Sequence, residues 1–166
     1  MIKILFAGEG GQGVQVVAEM LAKAAFLDGK KSLYIPNFGV EQRGGVSLAF
    51  VVIDEKSVTY PKFGKAHILA IFSDRSINRV KRYIDQDTQI ILGPAVTQKV
   101  ENSLSVKKDD ISIKAWNILT LGKVVNLSKA VSKENLIKAM EERFKKYFDK
   151  DPRIKEMDLK ALNKEL

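Results

Sequence analysis

Apolar residues fall along this chain in two rhythms, one of strands and one of helices. Residues 2–7 (IKILFA) form a short, nearly unbroken apolar run that ends in glycine, the pattern of a strand buried on both faces. Beyond the loop 8–13, apolar residues recur at Val14, Val17, Ala18, Leu21, Ala22 and Ala25. That spacing marks one face of a helix, and Gly29 supplies a stop. Residues 32–35 (SLYI) read as a second strand, cut off by Pro36. Strand, glycine loop, helix and strand make one βαβ unit, for which a right-handed crossover is expected.

Residues 37–45 (NFGVEQRGG) break both periodicities and form a loop. A strand at 46–53, a turn at 54–56 and a short strand near 58–60 follow, then a buried strand at 66–72 (AHILAIF). Residues 76–84 read as a charged helix and 88–92 as a strand closed by Gly93-Pro94. The stretch 95–113 is irregular, with a short strand at 111–113, and a helix is expected over 117–130. Ser132 is placed to cap a further helix, in which Leu136, Ile137, Met140, Phe144 and Phe148 line one face. Pro152 ends that helix, and 153–166 read as a polar, lysine-rich tail. Alternating apolar strands and helices predict a single α/β domain, a three-layer, Rossmann-like doubly wound sheet. The hairpin-like region 46–60 makes that sheet mixed rather than wholly parallel. The domain is expected over 1–150, with 151–166 as a basic C-terminal tail.

Composition narrows the chemistry. None of the 166 residues is a cysteine, which excludes disulfides, thiolate zinc sites and an iron–sulfur cluster held by this chain's own thiolates. The 28 basic and 20 acidic side chains give a net charge of +8, with the excess denser after residue 113. Such a balance favours anionic partners. Nucleic acid is not expected among them, because no recognition motif accompanies the charge. The N-terminal apolar run is too short for a signal peptide and no run approaches a membrane span, so a cytoplasmic location is expected.

Gly8-Glu9-Gly10-Gly11-Gln12-Gly13 satisfies G-x-G-x-x-G between a strand and a helix, the context that gives the motif meaning. Glycines there permit a tight turn and let backbone N–H groups approach a phosphate at the positive end of the helix. The same glycines would also serve simple close packing of helix on strand. A dinucleotide site needs an acid at the end of the second strand, where this chain has Pro36-Asn37, so a nicotinamide dehydrogenase is disfavoured. A second cluster, Gly39-Val40-Glu41-Gln42-Arg43-Gly44-Gly45, follows the second strand and belongs at the same sheet edge. Arg43 offers a planar fork suited to phosphate or carboxylate, and Glu41 could orient it. His67, the lone histidine, reads as a packed or hydrogen-bonded residue, and Trp116 as a packing anchor. No catalytic triad, metal-ligand spacing or P-loop occurs.

GEGGQGV at 8–14, GVEQRGG at 39–45, Tyr60-Pro61 before an apolar strand, and Leu121-Gly122 in the 117–130 helix together resemble the gamma subunit of 2-oxoacid:ferredoxin (acceptor) oxidoreductases. The resemblance covers about residues 1–150. It implies a subunit of a complex that oxidatively decarboxylates a 2-oxoacid to an acyl-coenzyme A and passes electrons to ferredoxin. Thiamine diphosphate and iron–sulfur clusters would lie in partner subunits: alpha, a thiamine-binding beta and a ferredoxin-like delta. The short chain and the form of the 117–130 helix favour 2-oxoglutarate over pyruvate. The resemblance implies no catalytic residue or metal in this chain. It implies coenzyme A binding at Gly8, Gly10, Gly11, Gln12 and Gly13 of the first motif, and at Glu41, Arg43, Gly44 and Gly45 of the second. His67 departs from the family pattern, which has an acid there. A purely structural interaction subunit and an indolepyruvate oxidoreductase-type subunit are the alternatives.

Overall fold

The computed structural model describes residues 1–38, 45–58 and 62–166. Six strands form one sheet: β1 (Ile2–Glu9), β2 (Lys31–Asn37), β3 (Val46–Asp54), β4 (Ile68–Ile71), β5 (Gln89–Leu92) and β6 (Ser103–Ser105). Their spatial order is β2-β3-β1-β4-β5-β6. β1, β4, β5 and β6 run parallel, whereas β3 is antiparallel to both β1 and β2. The sheet is mixed, as expected, through the antiparallel β3. β1 and β2 run in the same direction with β3 inserted between them, so the first βαβ unit spans a gap of one strand. Val58 lies outside any strand, and Thr59, Tyr60 and Pro61 lie outside the described residues.

Period-two alternation splits β1 between two cores. Ile4 and Phe6 face one layer with α1 (Val14–Leu27), α3 (Trp116–Ser128), α4 (Lys133–Lys150) and α5 (Pro152–Glu165). Leu5 and Ala7 face the other, where Phe50, Val80 and Tyr83 pack. This second layer is thin. The helix expected at 76–84 is only α2 (Ile77–Val80), between 3-10 turns at Asp74–Ser76 and Lys81–Tyr83. The cause is visible in its apolar positions: Ile77, Val80 and Tyr83 recur every three residues, and all three pack into the second core. The strand expected at 111–113 is replaced by a 3-10 turn, Ile113–Ala115, that leads into α3, and β6 forms within the stretch expected to be irregular.

The C-terminal segment is the largest correction. Instead of a polar tail, residues 152–165 form α5, started by Pro152 and capped by the Asp151 carboxylate accepting from Arg153 N–H. Ala161 and Leu162 are fully buried on this helix. Gly122 of α3 permits the contact, because a Cβ there would stand 2.8 Å from the carbonyl oxygen of Leu162. Ser132 does cap α4, its hydroxyl accepting from Asn135 N–H. The Asp28 carboxylate, just past α1, fastens that cap to the first helix. It accepts from Ser132 N–H, Ser132 Oγ and Asn135 Nδ2, each at 2.6 Å.

Candidate functional site

The carboxyl ends of β1, β4 and β5 meet where the chain departs in opposite directions from β1, through α1 to β2 and later to β4. In an open α/β sheet this is where ligands bind. A cleft of about 320 Å³ opens there. Gly11, Gln12 and Gly13 form one wall, Phe72, Gly93 and Pro94 the base, and Ile113, Lys114, Trp116 and Asn117 the far wall.

The first glycine loop is a built turn, with Gly11 at φ +93° and Gly13 at φ +75°. Both values lie in the left-handed region that glycine adopts without steric cost. Gly13 has a second reason to lack a side chain: an added Cβ would fall 2.3 Å from Asn117 Nδ2. Gly8, inside β1, is enclosed by Gln12, Phe72 and Val14, all within 2.8 Å of where a Cβ would sit. The Gln12 side chain locks the turn. Its Oε1 accepts from Glu9 N–H at 2.8 Å, and its Nε2 donates to the Phe72 carbonyl at 3.1 Å.

These bonds decide which groups remain for a ligand. The Gln12 amide N–H donates to the Glu9 carbonyl, and Gly10 N–H donates to the Gly45 carbonyl at 3.3 Å. The side chain of Gln12 and the amide of Gly10 are thus engaged within the protein. Among the described residues, the amides of Gly11 and Gly13 have no protein acceptor. Gly10 and Gly11 are exposed, so the turn is open to a partner.

Charge at the cleft is positive. α1 begins at Gly13 with no side-chain cap and no acid in its first turn, whereas α3 continues a 3-10 turn capped by Ser112, and its Ile118 N–H donates to Asn117 Oδ1 at 2.9 Å. The N-terminus of α1 therefore presents its partial positive charge to the cleft. Lys114 adds a full charge and makes no ion pair among the described residues. The loop's own carboxylate, Glu9, is paired with Arg75 at 3.4 Å. An arrangement of free amides, one open helix N-terminus and a lysine suits phosphate or carboxylate.

Of the second motif, Gly45 is buried beside the first loop through its bond to Gly10, whereas Glu41, Arg43 and Gly44 lie outside the described residues. His67 is hydrogen-bonded but exposed, its Nδ1 accepting from Lys3 N–H at 3.2 Å. It thereby supplies the acceptor that an acid at this position would supply. Trp116 does more than pack: it lines the cleft while its Nε1 donates to the Ile111 carbonyl at 3.0 Å. The sequence reading missed the wall from Lys114 to Asn117 and the base at Gly93. Only the Gly93-Pro94 pair at a strand's carboxyl end signalled a turn toward the site.

Sequence comparison matches residues 3–164 to the family described as pyruvate ferredoxin/flavodoxin oxidoreductase. The chain is 32% identical over 155 residues to pyruvate synthase subunit PorC of Methanothermobacter marburgensis, covering 87% of each chain. It is 36% identical over 114 residues to the pyruvate/ketoisovalerate oxidoreductases common subunit gamma of Pyrococcus abyssi, covering 68% of this chain and 51% of that one. Its fold superposes with a TM-score of 0.85 on part of the 2-oxoglutarate:ferredoxin oxidoreductase of Magnetococcus marinus. That structure was solved with 2-oxoglutarate, coenzyme A and succinyl-CoA bound. The superposition covers 99% of this chain and 30% of the other at 19% identity, a likeness of fold.

Proposed function

The chain belongs to the pyruvate ferredoxin/flavodoxin oxidoreductase family, and on that premise we propose that this gamma subunit holds the anionic part of coenzyme A for a complex that oxidises a 2-oxoacid. The observation that carries the reading is the cleft between the first glycine loop and Lys114. Among the described residues it offers two amides without protein acceptors, the uncapped N-terminus of α1 and a lysine without an ion pair. The chain's part in the reaction is positional. Amides of Gly11 and Gly13 and the Lys114 ammonium take phosphate oxygens, and Arg43 of the second motif adds a bidentate contact. So held, the thiol end of the coenzyme reaches the acyl group formed in a neighbouring subunit. Thiamine diphosphate and iron–sulfur clusters, supplied by alpha, beta and delta partners, carry the decarboxylation and the electrons, which leave to ferredoxin.

The sequence of α3 resembles the 2-oxoglutarate branch of the family, whereas both relatives carry pyruvate in their names. We take pyruvate as the first acid to test. Turnover of the assembled complex on pyruvate, 2-oxoglutarate, branched 2-oxoacids and indolepyruvate ranks the candidates. Coenzyme A titrated into that complex tests the ligand role. Arg43→Ala and Gly10→Val should weaken binding while assembly persists, and unchanged affinity in assembled variants removes the role. A second reading, assembly by contact alone, draws on the exposed apolar side chains Ile113 beside the cleft and Phe38 before the second motif. Under that reading the same variants would abolish assembly first.

A further inference from the structure

β2 is an edge of the sheet: among the described residues it pairs only with β3. In an antiparallel ladder alternate residues bond the neighbouring strand, and the rest turn their backbone groups away from it. Pro36 has no N–H to give and stands opposite Ala49, which places it in the outward-facing set with Ser32 and Tyr34. Outside the ladder, the amides of Ser32 and Tyr34 have no acceptor among the described residues. Apolar side chains flank this open edge on both faces of the sheet. Phe26, at the end of α1, is 68% exposed, and Leu33, on the face that carries Ile35, is 38% exposed. They line a groove of about 620 Å³ with Lys30, Lys31 and Lys56. A second groove, of about 450 Å³, meets it at Ser32 and runs beside Tyr34 between α1 and α4. The acids around these grooves are already engaged. Asp54 pairs with the N-terminal ammonium at 3.0 Å and Glu55 with Lys30 at 3.6 Å. Glu142 pairs with Lys23 at 3.1 Å and Glu19 with Arg143 at 3.2 Å. Asp28 is bound to Ser132 and Asn135. Lys31 and Lys56, both exposed, make no ion pair among the described residues.

We propose that the β2 edge receives an extended, acid-bearing segment of another subunit of the complex as a further strand of this sheet. Ser32 and Tyr34 each offer that segment an N–H and a carbonyl, and Pro36 a carbonyl only. Its apolar side chains cover Phe26 and Leu33, and its carboxylates meet Lys31 and Lys56. A second copy of this chain is the poorer occupant. In the two-fold register centred on Tyr34, each Ser32 would face a Pro36 without an N–H, and each Lys31 an Asn37. That pairing brings no acid to either lysine, and both chains carry +8. Lysine and proline on an edge are devices that stop a strand pairing with its own kind. Here they leave the edge open to a strand of opposite charge. The start of β2 lies at the end of the sheet opposite the glycine loop, because β2 and β1 run in the same direction. The assignment therefore stands apart from the coenzyme reading and needs only the assembly of subunits.

The test compares the full chain alone with the chain in the complex reconstituted from its subunits. By hydrogen exchange, the amides of Ser32 and Tyr34 should exchange about tenfold more slowly, or slower still, in the complex. Those of Leu33 and Ile35, turned toward β3, serve as the internal reference. A benzophenone side chain placed at Leu33 and activated by light marks the neighbour, which mass spectrometry then identifies. The marked segment should belong to another subunit and carry acids. Lys31→Glu combined with Lys56→Glu should weaken association about tenfold at low salt, and the loss should shrink as salt rises. Lys31→Arg combined with Lys56→Arg, which keeps both charges, should retain the association. Thermal unfolding shows that both variants remain folded. Unchanged exchange at Ser32 and Tyr34 overturns the assignment. So does a mark on a second copy or on a segment without acids, or an association that charge reversal leaves untouched.

Discussion

Gly10 N–H donates to the carbonyl of Gly45 at 3.3 Å, joining the first glycine motif to the last residue of the second. The bond follows from the sheet register. Glu9 at the end of β1 faces Val46 at the start of β3, so the chain must enter β3 beside the first loop. Gly10 and Gly45, 35 residues apart in the chain, thus stand side by side.

Within the first loop, two substitutions should differ in kind. Gly11 has a positive φ but open space around it, so Gly11→Ala should cost only backbone strain, about 1 kcal/mol. Gly13→Ala adds a collision with Asn117 and should cost roughly 2–4 kcal/mol. Denaturant unfolding measures both. Adding Asn117→Gly should recover part of the Gly13→Ala loss and none of the Gly11→Ala loss.

Burial raises the Asp158 carboxyl to about 6, against an ordinary value of 3.8. Its folded value exceeds its unfolded one, so ionisation favours the unfolded chain. The penalty is absent below about pH 4, grows between pH 4 and 6, and is constant above. It amounts to roughly 2 kcal/mol once screening by water is allowed for. Asp158→Asn should therefore raise the melting temperature at pH 7 by about 5 °C and leave it unchanged near pH 3.5. Melting curves of the two proteins across this range check the sign, and an equal difference at both pH values would refute it.

The opposite sign holds at Asp28. Partial burial works to raise this carboxyl, but hydrogen bonds from Ser132 and Asn135 and the nearby Lys30 outweigh it and hold the group below its ordinary value. Its stabilisation is present above about pH 4 and is lost as pH falls through the depressed value. Asp28→Ala should cost about 2 kcal/mol at pH 7 and progressively less in acid, read by urea unfolding at each pH. The start of α4 should exchange its amide hydrogens faster.

Much of this was legible in the hydrophobic pattern. The residues of β1, α1 and β3 follow their periodicities closely, because each buries a continuous face, whereas β2 is an edge strand with no fully buried residue and runs on through Pro36 to Asn37. The place of β3 between β1 and β2 was not legible, since period-two alternation specifies faces and not neighbours. α5 was hidden by its composition. Ile154, Met157, Ala161 and Leu162 keep helical spacing, but Asp158 occupies a slot on the same stripe among many lysines and glutamates. The residue that broke the stripe, Asp158, lines a cleft of about 410 Å³ among α1, α3, α4 and α5. The glycine loop was readable because its chemistry is local, whereas Lys114 reaches it only through the packing of α3.

That packing gives a further prediction. Gly122→Ala would drive a Cβ against the Leu162 carbonyl and push α5 from α3, costing about 1–3 kcal/mol. Faster hydrogen exchange across residues 152–165, with β1 unchanged, is the expected signature. Uniform loss of protection throughout the chain would contradict it.

The most direct measurement is calorimetric titration of coenzyme A into the reconstituted complex carrying either Lys114 or Lys114→Glu. Reversing Lys114, which makes no ion pair among the described residues, should weaken binding by about tenfold or more while the subunits stay assembled. An identical dissociation constant in the assembled variant would contradict the account, for it would place the coenzyme's phosphates away from the glycine loop.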